Sequence, residues 1–213
     1  MLFENIIILG AGGLAREIGF NLVTHYSDLD LIFIDDVTPT KEIILKNKEY
    51  KVYKNWEIPK EYVQFIVGIS GPNGKRKLVE KALSFNLIPA RTFVHPSVLV
   101  QDATIGVGGI ILANATLTIN VTVGDYNTIN IASNIGHDSV LGDFVTCSPQ
   151  SVVSGNCFIG EGTFIGAGAV IKEKTFVAKN TTVGAQAFVN KNIMLSDQTY
   201  VGVPAKKIWR IYL

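Results

Sequence analysis

The chain has little of what usually carries metal, redox or disulfide chemistry. Its 213 residues include two cysteines, two methionines and three histidines. Two cysteines cannot build the disulfide framework of a small secreted domain. Net charge is +1, so no excess of either sign draws the chain to nucleic acid or to an anionic membrane. Long apolar runs are also missing near the start. Ile6 to Leu9 is too short for a membrane span or a signal-peptide core, and Met1 to Asn5 carries an acid and no basic cluster. The expectation is a soluble cytoplasmic protein. Low charge, 17%, beside 47% hydrophobic residues excludes a disordered chain. The length suits one or two domains with a proper core.

What the chain does have is a six-residue beat. From Phe93 through Leu99, Ile105 and Ile111 to Val189, Leu195 and Val201, every sixth residue is apolar, nineteen in a row. Two residues earlier runs a column of mostly small residues, among them Ala115, Ser133, Ser139, Ser151 and Ala169. Glycine often follows the apolar residue, as at Gly106, Gly124, Gly136, Gly142 and Gly160. One large and one small inward residue per six is the hexapeptide pattern of a β-helix, in which three repeats close a triangular coil. No coil buries its apolar residues alone, whereas stacked coils bury a continuous core. The span predicts about six coils, with Cys147 and Cys157 on inward columns as small core residues.

The first ~90 residues read differently. Asn5 to Gly10 is an apolar run ending in glycine, the mark of a buried parallel strand. Gly10-Ala11-Gly12-Gly13 follows, then Leu14, Ala15, Ile18 and Leu22 at helical spacing. Strand, glycine loop and helix open a nucleotide-binding α/β unit, because the glycines let the backbone approach a phosphate and the helix N-terminus favours an anion. Leu31 to Ile34 is a second strand ending in Asp35-Asp36, placed to accept hydrogen bonds from a sugar or a base. Residues 37–60 are expected to be a loop with short, poorly paired strands. Gln64 to Gly68 is another strand, Gly68-Ile69-Ser70-Gly71 a second glycine turn, and Pro72 to Asn86 a helix. The loop at Gly10 is compatible with a tight turn that binds nothing, with NAD, or with a mononucleotide or sugar nucleotide. The dinucleotide form needs glycine at 15, where Ala15, a tolerated substitute, stands. A sugar nucleotide is the favoured reading, since ~90 residues are too few for two mononucleotide halves. Four or five parallel strands are expected.

Three histidines divide by position. His25 ends the first helix and reads as surface. His95 begins the solenoid and reads as structural. His137 falls two places after inward Ile135, beside a turn, so its ring points outward, and Asp138 follows it. An outward histidine with an adjacent carboxylate is a candidate general base. A zinc site of the γ-carbonic anhydrase kind needs several histidines on the solenoid, and only His137 lies well inside it.

Taken together, these motifs resemble the bacterial sugar acetyltransferases of the PglD/NeuD type. The resemblance covers the whole chain. It rests on Gly10-Ala11-Gly12-Gly13, Phe33-Ile34-Asp35-Asp36, Asn130 with His137-Asp138, Gly142-Asp143-Phe144, and Val201-Gly202-Val203-Pro204-Ala205-Lys206. It implies a small Rossmann-like domain over 1–90, followed over 91–213 by a left-handed parallel β-helix of hexapeptide repeats with a short C-terminal tail. It implies a homotrimer with active sites between β-helices. It implies that the nucleotide rests at Gly12, Gly13, Asp35, Asp36, Gly68 and Ile69. Acetyl-CoA would lie along Thr146, Gly155, Ala167 and Ala185, with no metal required. His137, Asp138 and Asn130 stand at the family's active-site positions. Two departures are visible. Thr146 stands where many members carry a second histidine, and its hydroxyl can donate a hydrogen bond but carries no charge. Gly136 stands where relatives often have glutamate.

The reaction the resemblance implies is N-acetylation of the 4-amino group of a nucleotide-linked 4-amino-4,6-dideoxy sugar. His137 takes the amine proton, the amine attacks the thioester directly, and backbone N–H groups meet the oxyanion, the resemblance pointing to that of Gly155. The alternatives are O-acetylation, as of sialic acid, and a non-catalytic sugar-nucleotide-binding trimer.

Overall fold

The computed structural model describes residues 4–208; residues 1–3 and 209–213, the end of the expected C-terminal tail, lie outside the described residues. The chain forms two compact units, one up to Phe93 and one from Val94. No helix among the described residues is long and apolar enough to cross a membrane.

The first unit is a six-stranded sheet with two helices. Its strands are β1 (Asn5–Leu9), β2 (Asp30–Ile34), β3 (Glu42–Leu45), β4 (Lys48–Tyr53), β5 (Gln64–Val67) and β6 (Ile88–Pro89), in the order β3-β4-β2-β1-β5-β6. Ile6 to Leu9 are fully buried, as a strand at the middle of a parallel sheet requires. β4, β2, β1, β5 and β6 run parallel, and β3 is antiparallel to β4. Helix α1 (Gly13–His25) follows β1, and α2 (Pro72–Ser84) follows β5.

The sequence reading of residues 37–60 needs correction. β3 and β4 form a well-paired hairpin, with Leu45 opposite Lys48. Lys46 and Asn47, at φ 48° and 64°, make the two-residue turn with both φ positive that right-twisted strands favour. Ile43, Leu45, Tyr50 and Val52 point inward at period two, while Glu42, Ile44, Glu49 and Lys51 are exposed. Four lysines in nine residues, from Lys46 to Lys54, and a turn without glycine masked that alternation.

The second unit is a three-sided β-solenoid. In the first sheet Ile129 pairs with Cys147 and Cys147 with Ile165. In the second Leu117, Ile135, Val153, Ile171 and Val189 stack in turn. In the third Val123, Leu141, Ile159 and Val177 do the same. Each step is one coil, ~4.8 Å along the axis. These residues are at most 2% exposed, and each contributes roughly 1.5–3 kcal/mol through burial. The small column is buried beside them and its serines are satisfied: Ser133 Oγ donates to Ser148 O at 2.9 Å and Ser139 Oγ to Ser154 O at 3.0 Å. Asn127 Nδ2 donates to Gly124 O and Gly142 O, while its buried Oδ1 has no partner among the described residues. Cys147 and Cys157 are buried and in no disulfide, and burial pushes the Cys157 thiol up, as suits inert core residues.

The beat does not hold to its ends. Leu117 pairs with Val100, not Leu99, and Leu99 is 54% exposed. At the other end Val183 pairs with Tyr200, not Val201, and Ile193 replaces exposed Leu195 as the partner of Val177. Phe93 lies in the strand Phe93–Val94 that ends the first solenoid sheet, and its ring meets Tyr26 edge-on at 6.4 Å. The regular register runs from Ile105 to Val189.

A third column was not read from the sequence. Every sixth residue from Asn114 to Gln186 has φ between 54° and 66°, turning the chain at a corner. Asn, Asp and Gly tolerate this conformation, but Tyr126, Ala132, Phe144 and Lys174 also adopt it, so composition did not announce it.

Candidate active site and nucleotide cleft

The edge between the second and third sheets carries the histidine. Asn134–Ile135 lies before this corner and Val140–Leu141 after it, so residues 136–139 form the turn. His137 is 65% exposed at its side chain, so the ring points out of the coil as expected. Its Nδ1 lies 2.8 Å from Asp138 Oδ2. Asp138 occupies the left-handed corner position, φ 60°, which brings its short carboxylate back toward the preceding side chain. From one coil earlier, Asn120 Nδ2 donates to Asp138 Oδ1 at 2.8 Å. The hydrogen bonds from His137 and Asn120 hold the Asp138 carboxyl below the usual carboxylate range. Asn120 was missed in the sequence because it stands eighteen positions from Asp138, a contact that only the corner register reveals.

Gly155 stands one coil beyond His137 on the same edge. A Cβ there would fall 2.5 Å from His137 Nε2 and 2.7 Å from Cε1. The imidazole therefore lies across the glycine backbone. With Nδ1–H turned to Asp138, the lone pair is on Nε2, the nitrogen on the Gly155 side. Most solenoid glycines face backbone of the next coil, as at Gly136, where a Cβ would meet Gly155 N at 2.5 Å. A glutamate at 136 needs a different local layout, which accounts for that departure from the resemblance.

The other expected residues are not gathered at His137 within one chain. Asn130, Ala167 and Ala185 lie on the edge between the first and second sheets, across a strand from His137. Asn130 Oδ1 accepts its neighbour Ile131 N–H at 2.7 Å. Ala167 and Ala185 are exposed, whereas Thr146, on the first sheet, is 1% exposed. Of the four residues expected along acetyl-CoA, Thr146 is thus the one whose side chain is buried.

In the first unit Gly68, Ile69 and Asp35 meet the loop from Gly10 to Gly12, whereas Asp36 turns to Asn55, Trp56 and Lys81. Gly10, at φ 115°, sits against Ile69 Cγ2 and Gly68 O, and a Cβ at Gly68 would collide with Ala15 and Ile8 at 2.8 Å. The two glycine turns are thus packed together at the carboxyl edge of the sheet. Both helices begin at a glycine N-cap with no side-chain cap, Gly12 for α1 and Gly71 for α2. Their first-turn N–H groups favour an anion.

The two aspartates differ in what they have left to offer. Asp35 Oδ1 accepts from Val37 N and Thr38 N, and Oδ2 from Ala11 N and Thr38 Oγ, all at 2.8 Å. That fills the four lone-pair sites of a carboxylate. Burial pulls its pKa upward, but these hydrogen bonds outweigh it and hold the group low. Asp36 accepts three, from Asn55 N, Trp56 Nε1 and Lys81 Nζ, which likewise outweigh its burial. Asp36 keeps one acceptor position; Asp35 is a brace for the glycine loop. Beside this loop opens a cleft of about 470 Å³ walled by Ala11, Gly12, Arg16, Thr38, Thr40 and Glu42 with the start of the hairpin. Arg16 went unremarked in the sequence: it lies one turn into α1, on the cleft side of the helix. No group of three or more His, Cys, Asp or Glu among the described residues could hold a metal ion.

No family model matches the chain. A GDP-perosamine N-acetyltransferase of Escherichia coli O157:H7 is 30% identical over 138 residues, an alignment that takes in 62% of this chain and 61% of that protein. The acetyltransferase domain of PglB from Neisseria gonorrhoeae FA1090, in complex with acetyl coenzyme A, superposes with a TM-score of 0.85 at 26% identity, covering 97% of this chain and all of that one. In sequence and in fold the chain is thus similar to sugar acetyltransferases. PerB from Caulobacter crescentus, in complex with CoA and GDP-perosamine, shares the fold at 23% identity and a TM-score of 0.83, over 98% of this chain and 99% of that one.

Proposed function

We propose that the protein is an acetyl-CoA-dependent N-acetyltransferase acting on the 4-amino group of a nucleotide-linked 4-amino-4,6-dideoxy sugar. The reading rests on an exposed imidazole with Nδ1 2.8 Å from Asp138 and Nε2 turned to the Gly155 backbone. Likeness to a GDP-perosamine N-acetyltransferase and to an acetyl coenzyme A complex supplies the substrate classes.

In the reaction His137 Nε2 accepts a proton from the sugar amine as nitrogen attacks the thioester carbonyl. A C–N bond forms, the tetrahedral oxyanion is met by the Gly155 N–H, and the C–S bond breaks. CoA leaves as the thiol after taking up a proton from the imidazolium. Among the described residues, the Gly155 N–H makes no backbone hydrogen bond, so it is available for that role. Asp138 orients the ring and stabilises its charged form. In the first unit, the α1 and α2 N-termini and Arg16 suit the diphosphate, Gly12, Gly13, Gly68 and Ile69 allow its close approach, and Asp36 accepts from the nucleoside.

Asn130, Ala167 and Ala185 lie on a different edge from His137, so a site that uses all of them takes two copies of the chain. We read the assembly as a homotrimer in which the histidine edge of one subunit meets the alanine edge of the next, with acetyl-CoA between them. The apolar stripe of Val140, Phe158 and Phe176 on the third sheet, exposed at 37%, 45% and 36%, is suited to such packing.

The test is CoA release with GDP-perosamine as acceptor. Turnover with formation of the 4-acetamido sugar is expected, and His137→Ala should lower kcat roughly 100- to 10,000-fold. Acetylation confined to hydroxyl acceptors would overturn the N-acetyl assignment.

A further inference from the structure

The imidazole of His137 is held by Asp138, and Asp138 is itself held from the coil beneath. The carboxylate leaves its corner on a single χ1 and faces solvent on one side, with its side chain 43% exposed. Left to itself it samples rotamers in which no oxygen reaches Nδ1. Asn120 closes that freedom. Its Nδ2 donates to Oδ1 at 2.8 Å while Oδ2 faces the ring at 2.8 Å, so the two oxygens are fixed from opposite sides. An ionised carboxylate only accepts, so the amide must present nitrogen here, and a residue lacking a donor cannot replace it.

The backbone supports the same arrangement. Asn120 and Asp138 hold the left-handed corner position on the same edge one coil apart, at φ 57° and 60°. Asp138 N donates to Ile119 O at 3.0 Å, which locks the two corners in register. Asparagine is among the few residues with a side-chain donor that tolerate this conformation well.

We propose that Asn120 is a positioning residue for the acetyl transfer, fixing through Asp138 the Nδ1–H tautomer of His137 and so keeping the Nε2 lone pair toward Gly155. The assignment rests on His137 being the base, and it adds to that reading a residue of the neighbouring coil. A comparison within the molecule defines what the test must read. Asn180 Nδ2 donates to Asp197 Oδ1 at 3.1 Å on another edge, where Ser196 and not a histidine precedes the aspartate, and there the bond ties coils together. Stability alone therefore does not separate the two roles; the state of the His137 ring does.

Two variants leave the corner intact. Asn120→Gly suits a positive φ and removes the amide. Asn120→Asp keeps the shape, removes the donor and sets carboxylate against carboxylate. In ¹⁵N-histidine-labelled protein without substrate, long-range ¹H–¹⁵N correlation reports the tautomer of each neutral ring, and three histidines make assignment simple. Unchanged His25 and His95 signals verify the fold. In the wild type the Nδ1–H form of His137 is expected to dominate. Both variants should shift it to a mixture and lower kcat about tenfold, with KM for both substrates unchanged, a loss of about 1.4 kcal/mol in transition-state stabilisation. An unchanged His137 tautomer in both variants overturns the assignment, whatever the activity. A tautomer shift in a protein that acetylates no amino sugar upholds the positioning by Asn120 and overturns the proposed activity instead.

Discussion

Asp35 and Asp36 are adjacent, carry the same charge and follow the same strand, yet they do different work. The distinction lies in their hydrogen-bond ledger. Asp35 has four donors from the glycine loop and the turn that follows it; Asp36 has three and one vacancy. Asp35→Asn puts an amide NH2 toward N–H and O–H donors. It should cost about 1–2 kcal/mol, kept modest by partial exposure, and speed amide hydrogen exchange at Ala11, Val37 and Thr38. Asp36→Asn should instead raise KM for the sugar nucleotide about tenfold with kcat little changed. Both carboxyls titrate below their ordinary value in the folded protein. Their contribution is therefore complete above an unfolded pKa of ~3.9 and is lost as pH falls through the lower folded values. Exchange protection in the glycine loop should hold down to about pH 4 and fall away below it. The motif Asp35-Asp36 was visible in the sequence as an acceptor pair. Which member was already saturated was not, because the donors at Thr38, Trp56 and Lys81 reach it through a turn, a hairpin end and a second helix.

At the scale of the coil, glycine and the corner residue set what the repeat tolerates. Gly160 follows the inward Ile159, and a Cβ there would stand 2.4 Å from Lys179 N in the next coil. Backbone cannot step aside as a side chain can. Gly160→Ala should destabilise the solenoid by about 1–3 kcal/mol, seen as a lower thermal midpoint for loss of its β signal in circular dichroism. The corner column predicts the opposite sign. Ala132 sits at φ 55° with no side-chain group to offset the strain. Ala132→Gly removes a left-handed penalty of ~1–2 kcal/mol and adds unfolded-chain entropy of ~0.5–1 kcal/mol, so a gain of up to ~1 kcal/mol is expected in the same measurement. Period six in the apolar column made the solenoid legible, since burial demands the same residue class at each step. The corner column demands a backbone angle rather than a residue class, and Tyr126, Phe144 and Lys174 meet it as Asn120 does. Its partner Asn120 stayed hidden for that reason. The β3–β4 hairpin was hidden similarly: its period-two pattern was present, but one face is solvated and lysine-rich, so few apolar residues carried the signal.

For the molecule as a whole, the residues proposed for the site lie on two edges of the solenoid. A triangular solenoid cannot bring them together, because the second sheet lies between. His137 and Gly155 share one edge; Asn130, Ala167 and Ala185 share another. In the proposed homotrimer no inserted loop is needed, since each interface joins the histidine edge of one copy to the alanine edge of the next. Two single variants separate the contributions. His137→Ala removes the base and leaves the alanine edge intact. Ala167→Trp fills the groove on the alanine edge and leaves His137 intact. Each homogeneous variant should be inactive in CoA release. Dissociated and reassembled as a mixture, the two should regain activity, because some interfaces then pair an intact histidine edge with an intact alanine edge, roughly a quarter of them in a random one-to-one mixture. Sedimentation should show one species near three times the 23.2 kDa chain mass throughout. A mixture that reassembles and stays inactive would mean that each site is complete within a single chain. In that case the alanine edge has no part in catalysis, and acetyl-CoA must be sought along the His137 edge alone.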